Sequence, residues 1–130
     1  MYYLNSEENF YRGNDNTFYE PSEGYTKGNM NKTTYYNYRN YEPKQLEFSK
    51  EQDKLLYLVS MYYFASHDLK LHLDLNPNDK ATLEKFKEYV NEYKKYKTQY
   101  INKYGPLCSI DNTKEMFDYI KCPWPWEGNK

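Results

Sequence analysis

Two histidines and two aspartates close together in the middle of the chain are its clearest candidates for acid-base or metal chemistry. They are His67, Asp68, His72 and Asp74. On a helix, Asp68 and His72 would be neighbours, whereas His67 and Asp74 would point elsewhere. Two ligands on one helix make a weak metal site without ligands from a second element. We therefore predict no metal site here, and we expect Asp68 to bond a tyrosine hydroxyl or a backbone amide.

The rest of the sequence contains no pattern typical of an active site. It has no phosphate-binding glycine loop and no nucleophile motif. Two cysteines, Cys108 and Cys122, are too few for a disulfide scaffold and lack the spacing of a zinc site. They are read as free thiols, with a bridge between them as the alternative. We predict neither enzymatic activity nor a cofactor.

Both tryptophans lie near the end of the chain, within residues 122–127. Pro123 and Pro125 favour extended geometry for themselves and for the residue before each, so we expect Trp124 and Trp126 to be displayed on a polyproline-like strand. Rigid aromatic side chains of this kind are typical anchors in protein interfaces. The tail is therefore predicted to bind a partner.

Composition narrows the class of protein further. The 130 residues include 18 tyrosines, and 18 basic residues nearly balance 19 acidic ones. This balance gives no electrostatic footprint for a phosphate backbone, so nucleic acid is not an expected partner. No apolar run approaches the roughly 20 residues that span a bilayer, and the first residues do not resemble a signal peptide. We expect the protein to stay in the compartment where it is made.

Residues 1–44 are rich in tyrosine and asparagine and contain almost no aliphatic side chains. Such a segment cannot bury enough apolar surface to offset its backbone entropy, so we predict an irregular arm that is poorly ordered in isolation. Its tyrosines have two alternative roles. They pack on neighbouring subunits, or neighbouring phenols such as Tyr35, Tyr36 and Tyr38 couple oxidatively into cross-links.

Residues 45–107 are predicted to form an antiparallel helical hairpin, with helices at about 50–75 and 77–104. Each helix carries an apolar stripe at three- and four-residue spacing, and the later part of the second stripe is tyrosine. The first stripe consists of Leu55, Leu58, Val59, Tyr62, Ala65, Leu69 and Leu73. The second consists of Leu83, Phe86, Val90, Tyr93, Tyr96 or Lys97, Tyr100 and Tyr104. The fold class is therefore all-α.

The helix ends carry their own signals. We expect Ser49 and Gln52 to form a capping box at the start of the first helix. Asn76 as N-cap and Pro77 at the first helical position should begin the second helix, and Gly105 should end it in the left-handed conformation.

Some apolar side chains lie outside the two main stripes, namely Leu56, Tyr63, Phe64 and Leu71. Two helices cannot enclose both of their apolar faces, so we expect a third element to cover these side chains. That element would be the C-terminal segment, residues 108–130, or another chain. A weak helical turn at 113–120 is one candidate.

Three blocks of the sequence, in order and spacing, resemble the CotJB spore coat family of endospore-forming bacteria. They are residues 64–77 (FASHDLKLHLDLNP), 104–107 (YGPL) and 123–127 (PWPWE). The chain departs from the family pattern at His72, where the family has tyrosine, at Leu75-Asn76, and in lacking an earlier tryptophan. The resemblance implies structural signature positions at Asp68, Leu71, Leu73, Asp74, Pro77 and Gly105. The resemblance implies five further signature positions, which we predict to bind a partner: Tyr104, Pro106, Trp124, Pro125 and Trp126.

The resemblance implies a structural protein of the endospore coat, synthesised in the mother-cell cytoplasm and deposited on the forespore. Its implied partners are a manganese-catalase-like protein of the CotJC type and a small proline-rich protein of the CotJA type, in a hetero- or homo-oligomer. An accessory or scaffold subunit of the catalase-like enzyme is the alternative function. A module that binds single-stranded nucleic acid is a third, which the balanced charge disfavours.

Overall fold

Three α-helices and two single 3-10 turns make up the regular structure of the computed structural model, which describes residues 17–34, 39–42, 44, 46–111, 114–121 and 124–127. Helix α1 spans Pro21–Lys27, α2 spans Glu51–Leu75 and α3 spans Lys80–Tyr104. The 3-10 turns are Asp118–Ile120 and Pro125–Glu127. Within these ranges the strand-like pairing is a single isolated bridge, so the fold is all-α as predicted.

Helices α2 and α3 lie side by side and antiparallel, which confirms the predicted hairpin. Glu51, at the start of α2, accepts bonds from the side chains of Lys103 and Tyr104 at the end of α3. The next residue, Gln52, donates from Nε2 to the Tyr100 hydroxyl over 3.2 Å. The two helices have 25 residues each. They are therefore ~37 Å long at 1.5 Å per residue and pair along most of that length.

Two clusters of buried side chains fill the contact between the long helices. Nearer the turn, Ala65 and Leu69 of α2 pack in one cluster with Tyr89 of α3. Nearer the open end, Leu55 and Val59 pack against Tyr100. The α2 members all lie on the predicted stripe, because three- and four-residue spacing keeps them on one face.

The buried seam of α3 differs from the predicted stripe near the turn. Thr82 and Tyr89 are buried, whereas Leu83 and Val90 are half-buried. The ring of Tyr89 lies 6.1 Å from that of Tyr62, and burial raises the pKa of Tyr89 to about 12. This phenol therefore stays protonated under physiological conditions.

The predicted helix caps were wrong at the starts of both long helices. Helix α2 has Lys50 as N-cap and no side-chain cap bond, because a lysine side chain has no acceptor for a backbone amide. The Gln52 side chain donates to Tyr100 of α3. Asn76 ends α2 rather than beginning α3. The N-cap of α3 is Asp79, whose Oδ1 accepts from Thr82 N over 3.1 Å and whose Oδ2 accepts from Thr82 Oγ1 over 2.7 Å. A carboxylate that accepts two bonds there is the stronger cap.

Gly105 ends α3, but not in the left-handed helical conformation that was predicted. Its φ is 115° and its ψ is 178°, a region that is essentially restricted to glycine. The backbone therefore leaves the helix in an extended direction. This exit brings Leu107 against the cluster at the open end of the hairpin.

The segment 17–34, which belongs to the predicted irregular arm, packs on the hairpin and contributes to its core. Phe18 and Met30 are both buried in the cluster with Ala65 and Leu69. Tyr19 N donates to Met30 O over 2.8 Å, next to the isolated bridge between Phe18 and Asn31. Helix α1 lies between them and ends at Gly28, which has φ 74°. The apolar face of α2, not local propensity, accounts for this ordered stretch. Order of the arm in isolation stays a prediction.

The apolar side chains that lie off the main stripes are covered unequally. The ring of Phe64 lies 5.6 Å from that of Tyr25 in α1, and Leu56 packs in the open-end cluster. Tyr63 and Leu71 are 55% and 49% exposed. The third element that covers Phe64 is thus the N-terminal segment, which the sequence interpretation did not consider.

Candidate partner-binding surface

The two tryptophans of the tail occupy different environments. Trp124 is half-buried, its Nε1 donates to the carbonyl oxygen of Tyr119 over 3.1 Å, and its ring stacks on the Tyr119 ring at 6.4 Å and 18°. Trp126 lies against Trp124 with ring centroids 4.8 Å apart, but it is 63% exposed. Trp124 therefore anchors the tail within the chain, and Trp126 remains available to a partner.

The backbone of the tail forms a turn instead of the predicted extended strand. Residues Pro125–Glu127 form a single 3-10 turn. Glu127 closes it twice, because its N–H donates to Trp124 O and its Oε2 accepts from Trp124 N, each over 3.0 Å. The acidic residue after the second tryptophan supplies both bonds and outweighs the extended preference before proline.

Further apolar side chains are exposed along the same part of the chain. We call them, together with Trp126, the C-terminal apolar residues: Ile110, Met116, Phe117 and Ile120. Each of these side chains is more than half exposed, and Ile110 is 87% exposed. Five such side chains lie within 17 positions, in the part of the chain where Trp124 anchors the tail. They are the exposed apolar residues nearest the predicted partner-binding tail.

Asp118 lies among these residues and has an unusual environment. Its side chain is buried, and its Oδ1 has no hydrogen-bond partner in the described part of the chain. Lys114 Nζ lies 3.9 Å from the other carboxylate oxygen, Oδ2. The described residues therefore satisfy this carboxylate only in part.

Two other predicted partner-binding residues, Tyr104 and Pro106, lie at the open end of the hairpin. The Tyr104 hydroxyl bonds Glu51 over 3.4 Å, and its ring lies 5.4 Å from that of Tyr100. Pro106 is half-buried. Among the described aromatic pairs, Tyr104 contacts neither tryptophan. Tyr104 therefore holds the helix ends together.

A polar network ties the chain after α3 back to that helix. The Cys108 thiol donates to Asp111 Oδ2 over 2.8 Å, and Lys97 Nζ pairs with Asp111 Oδ1 over 3.1 Å. Burial raises the pKa of Asp111, but the Cys108 and Lys97 contacts outweigh it and hold the pKa below its usual value. Cys108 is a free thiol. Cys122 lies outside the described residues, so its state stays a prediction.

The prediction for Asp68 is confirmed in its backbone-amide form. Met30 N donates to Asp68 Oδ2 over 2.8 Å. Of the other signature positions, Leu73 is half-buried, while Asp74 and Pro77 are exposed. Asp68 thus fastens the N-terminal segment to α2.

His72 and Asp79 form a buried pair at the turn of the hairpin. His72 Nε2 lies 3.0 Å from Asp79 Oδ2, and the edge of the Phe18 ring meets the imidazole at 5.2 Å. Burial raises the pKa of Asp79, but hydrogen bonds from Thr82 and His72 outweigh it, so the pKa lies below its usual value. Asp68 and His72 therefore serve two separate structural contacts.

In the part of the chain that the structure describes, no group of three His, Cys, Asp or Glu side chains is arranged to hold a metal ion. Among the same residues, none of the helices has the length and apolar character needed to cross a bilayer. Tyr35, Tyr36 and Tyr38 lie outside the described residues, and their cross-linking stays a prediction.

Residues 53–127 match a family model described as CotJB protein. The match covers α2, α3 and the C-terminal apolar residues, more than half of the chain, and confirms the resemblance seen in the sequence. No curated protein and no solved structure matches this sequence. The segment 17–34 lies outside the match, although it packs on two helices inside it.

Proposed function

This chain belongs to the CotJB family of spore coat proteins, and from that premise we propose that it is a structural protein of the bacterial endospore coat. We propose further that it is synthesised in the mother-cell cytoplasm and deposited on the forespore. A structural role needs surfaces for stable association, and the chain offers one in its C-terminal apolar residues.

The observation that carries the proposal is the exposure of Trp126 beside an anchored Trp124. Trp124 is held by its bond to Tyr119, so the neighbouring indole is presented from a fixed base. Tryptophan is among the residues that most often dominate binding energy, because it buries a large ring at low entropic cost. A partner that covers Trp126 would gain this energy without ordering the tail first.

We propose that the partner is a manganese-catalase-like coat protein, accompanied by a small proline-rich coat protein of the CotJA type. This part rests on the companions that the family resemblance implies. The C-terminal apolar residues support a protein partner in general, since burial of exposed apolar area drives most protein association.

Co-expression with the catalase-like protein, followed by size-exclusion chromatography, tests the proposal. We expect the two proteins to co-elute, and Trp126→Ser to lose co-elution. Tyr63→Ser is the matched control, because Tyr63 is an aromatic residue of α2 with similar exposure. Both variants should retain their helical circular dichroism, since neither side chain is buried.

Two outcomes would redirect the proposal. Co-elution that survives Trp126→Ser would remove the tail from the interface. A change in catalase turnover on adding this protein, with no incorporation into coats, would favour the accessory-subunit function over the structural one.

A further inference from the structure

The N-terminal segment, residues 17–34, docks on the hairpin as a compact unit with specific contacts. Met30 is fully buried, and Asp68 accepts its backbone N–H over 2.8 Å. The Phe18 ring meets His72, and the Tyr25 ring meets Phe64. The receiving surface is built by α2 together with Tyr89 and Phe86 of α3. The hairpin therefore contains a defined receptor site for this segment.

The described residues of the connection between the segment and α2 are all exposed; they are 39–42, 44 and 46–50. One of them, Phe48, contacts the ring of Tyr57 in α2 at 5.0 Å. The buried docking contacts given above therefore belong to residues 17–34, and the length of the connection sets how far the segment can reach.

The reach of this connection is large relative to the hairpin. Residues 35–50 number 16, and an extended chain spans at most ~3.3–3.6 Å per residue, so the connection covers up to ~55 Å. Helix α2, with 25 residues, is ~37 Å long. A segment on such a connection can reach the receptor site of an adjacent molecule.

We propose that the receptor site on α2 and α3 also takes residues 17–34 of a second copy of this chain, so that copies are linked by exchange of their N-terminal segments. The occupant is specified by the structure, because the contacts in exchange are those seen within one chain. Exchange of identical elements is a low-cost route to association. Reciprocal exchange closes a dimer, and sequential exchange gives open chains.

Protein concentration decides whether a segment docks on its own hairpin or on that of a second copy. The covalent connection holds a molecule's own segment near its receptor site at an effective concentration of order mM. In a packed protein layer the segments of neighbouring copies are present at comparable concentration, so exchange competes there although a dilute solution favours the closed monomer. The proposal concerns a surface distinct from the C-terminal apolar residues. Exchange within a packed layer rests on the coat function proposed above, whereas the exchange contact itself does not, and the cross-linking test addresses that contact alone.

Cross-linking between full-length chains tests the exchange. Cys108 and Cys122 are first replaced by serine. One chain then carries Tyr25→Cys and a second, differently tagged chain carries Phe64→Cys; the two are mixed at high concentration and treated with a short bismaleimide. We expect a heterodimer containing both tags. The matched control is Tyr63→Cys, one position away, whose ring contacts His67 and Tyr93 instead of α1.

The outcomes are decisive in both directions. A heterodimer with Phe64→Cys that is several-fold weaker with Tyr63→Cys, and lost when Met30→Asp is added to the Tyr25→Cys chain, establishes exchange. A chain carrying both Tyr25→Cys and Phe64→Cys should close internally. Internal closure without any heterodimer overturns the proposal. Failure of internal closure overturns it too, because the receptor site would then not hold the segment.

Discussion

Met30 provides the sharpest test of the packing between the N-terminal segment and the hairpin. Its side chain is fully buried in the cluster that includes Phe18, Ala65, Leu69 and Tyr89. Replacing it with alanine removes the sulfur and two carbon atoms from this cluster. The neighbours are held by helices on one side, so they cannot close the space completely, and a cavity remains.

The size of the effect follows from this burial. Truncation of a buried methionine to alanine costs about 2–5 kcal/mol. Met30 contributes to the docking of its segment on the hairpin. The free energy of that docking therefore sets the upper limit of the loss in the free energy of unfolding. We therefore expect about 2–3 kcal/mol, near the lower end of that range. A small domain has about 5–15 kcal/mol in total, so the change should be easy to measure.

Urea unfolding followed by circular dichroism measures this loss. Met116→Ala is the matched control, because it removes the same atoms from a side chain that is 54% exposed. We expect Met30→Ala to lower the unfolding midpoint clearly. Met116→Ala should change the free energy of unfolding by less than about 0.5 kcal/mol, as is usual for surface positions.

Comparable small effects of the two methionine substitutions would refute the packing described for residues 17–34. The Asp68 bond gives an independent check. Asp68→Ala removes the acceptor for Met30 N–H and should cost about 1.5–3 kcal/mol, the value for hydrogen bonds to charged groups. Asp68→Asn keeps an acceptor oxygen and should lose less. Unchanged stability in Asp68→Ala would mean that the bond contributes nothing.

Two further predictions concern the turn and helix α1. Because the pKa of Asp79 lies below its usual value of 3.8, its contribution to stability is full above that value and is lost as the pH falls through the native pKa. Asp79→Asn should therefore flatten the decline of the melting temperature in acid, whereas the exposed Asp74→Asn should follow the parent protein; identical acid profiles for all three would contradict this. A methyl group at Gly24 would overlap the Met30 sulfur, so Gly24→Ala should lower the melting temperature, with a loss of about 1–3 kcal/mol, and an unchanged melting curve would mean that α1 does not rest on Met30.

The hairpin was predictable because its signals are long and periodic. Leu55, Val59, Ala65 and Leu69 recur on one helical face, and no local alternative competes with that pattern. The caps were less predictable because several polar residues compete at each helix end. Asp79 exceeds Asn76 as a cap because it also meets His72, a contact that exists only after the turn has formed.

The docking of residues 17–34 was missed although its signals are present. Pro21 and Gly28 bracket a helix in the usual order, proline at the start and glycine after the end. The segment has few large apolar side chains, and Phe18 and Met30 lie 12 positions apart, so no periodicity connects them. Backbone bonds such as Tyr19 N to Met30 O bring them together, and both are buried on the receptor site of α2 and α3, which is far away in sequence. Composition alone therefore underestimates order in a segment whose partner is the rest of the chain.

The two tryptophans of the tail also show that sequence alone does not predict which contacts a side chain makes in the folded chain. Trp124 and Trp126 each follow a proline, and the sequence does not indicate which indole is held, yet one is held by the Tyr119 carbonyl and the other is exposed. The difference arises from the turn at 125–127, which orients successive indoles differently. Deleting the whole tail would remove an internal contact and a candidate partner contact at once. Single substitutions at 124 and 126 separate them, since a loss of stability should follow the first and a loss of association the second.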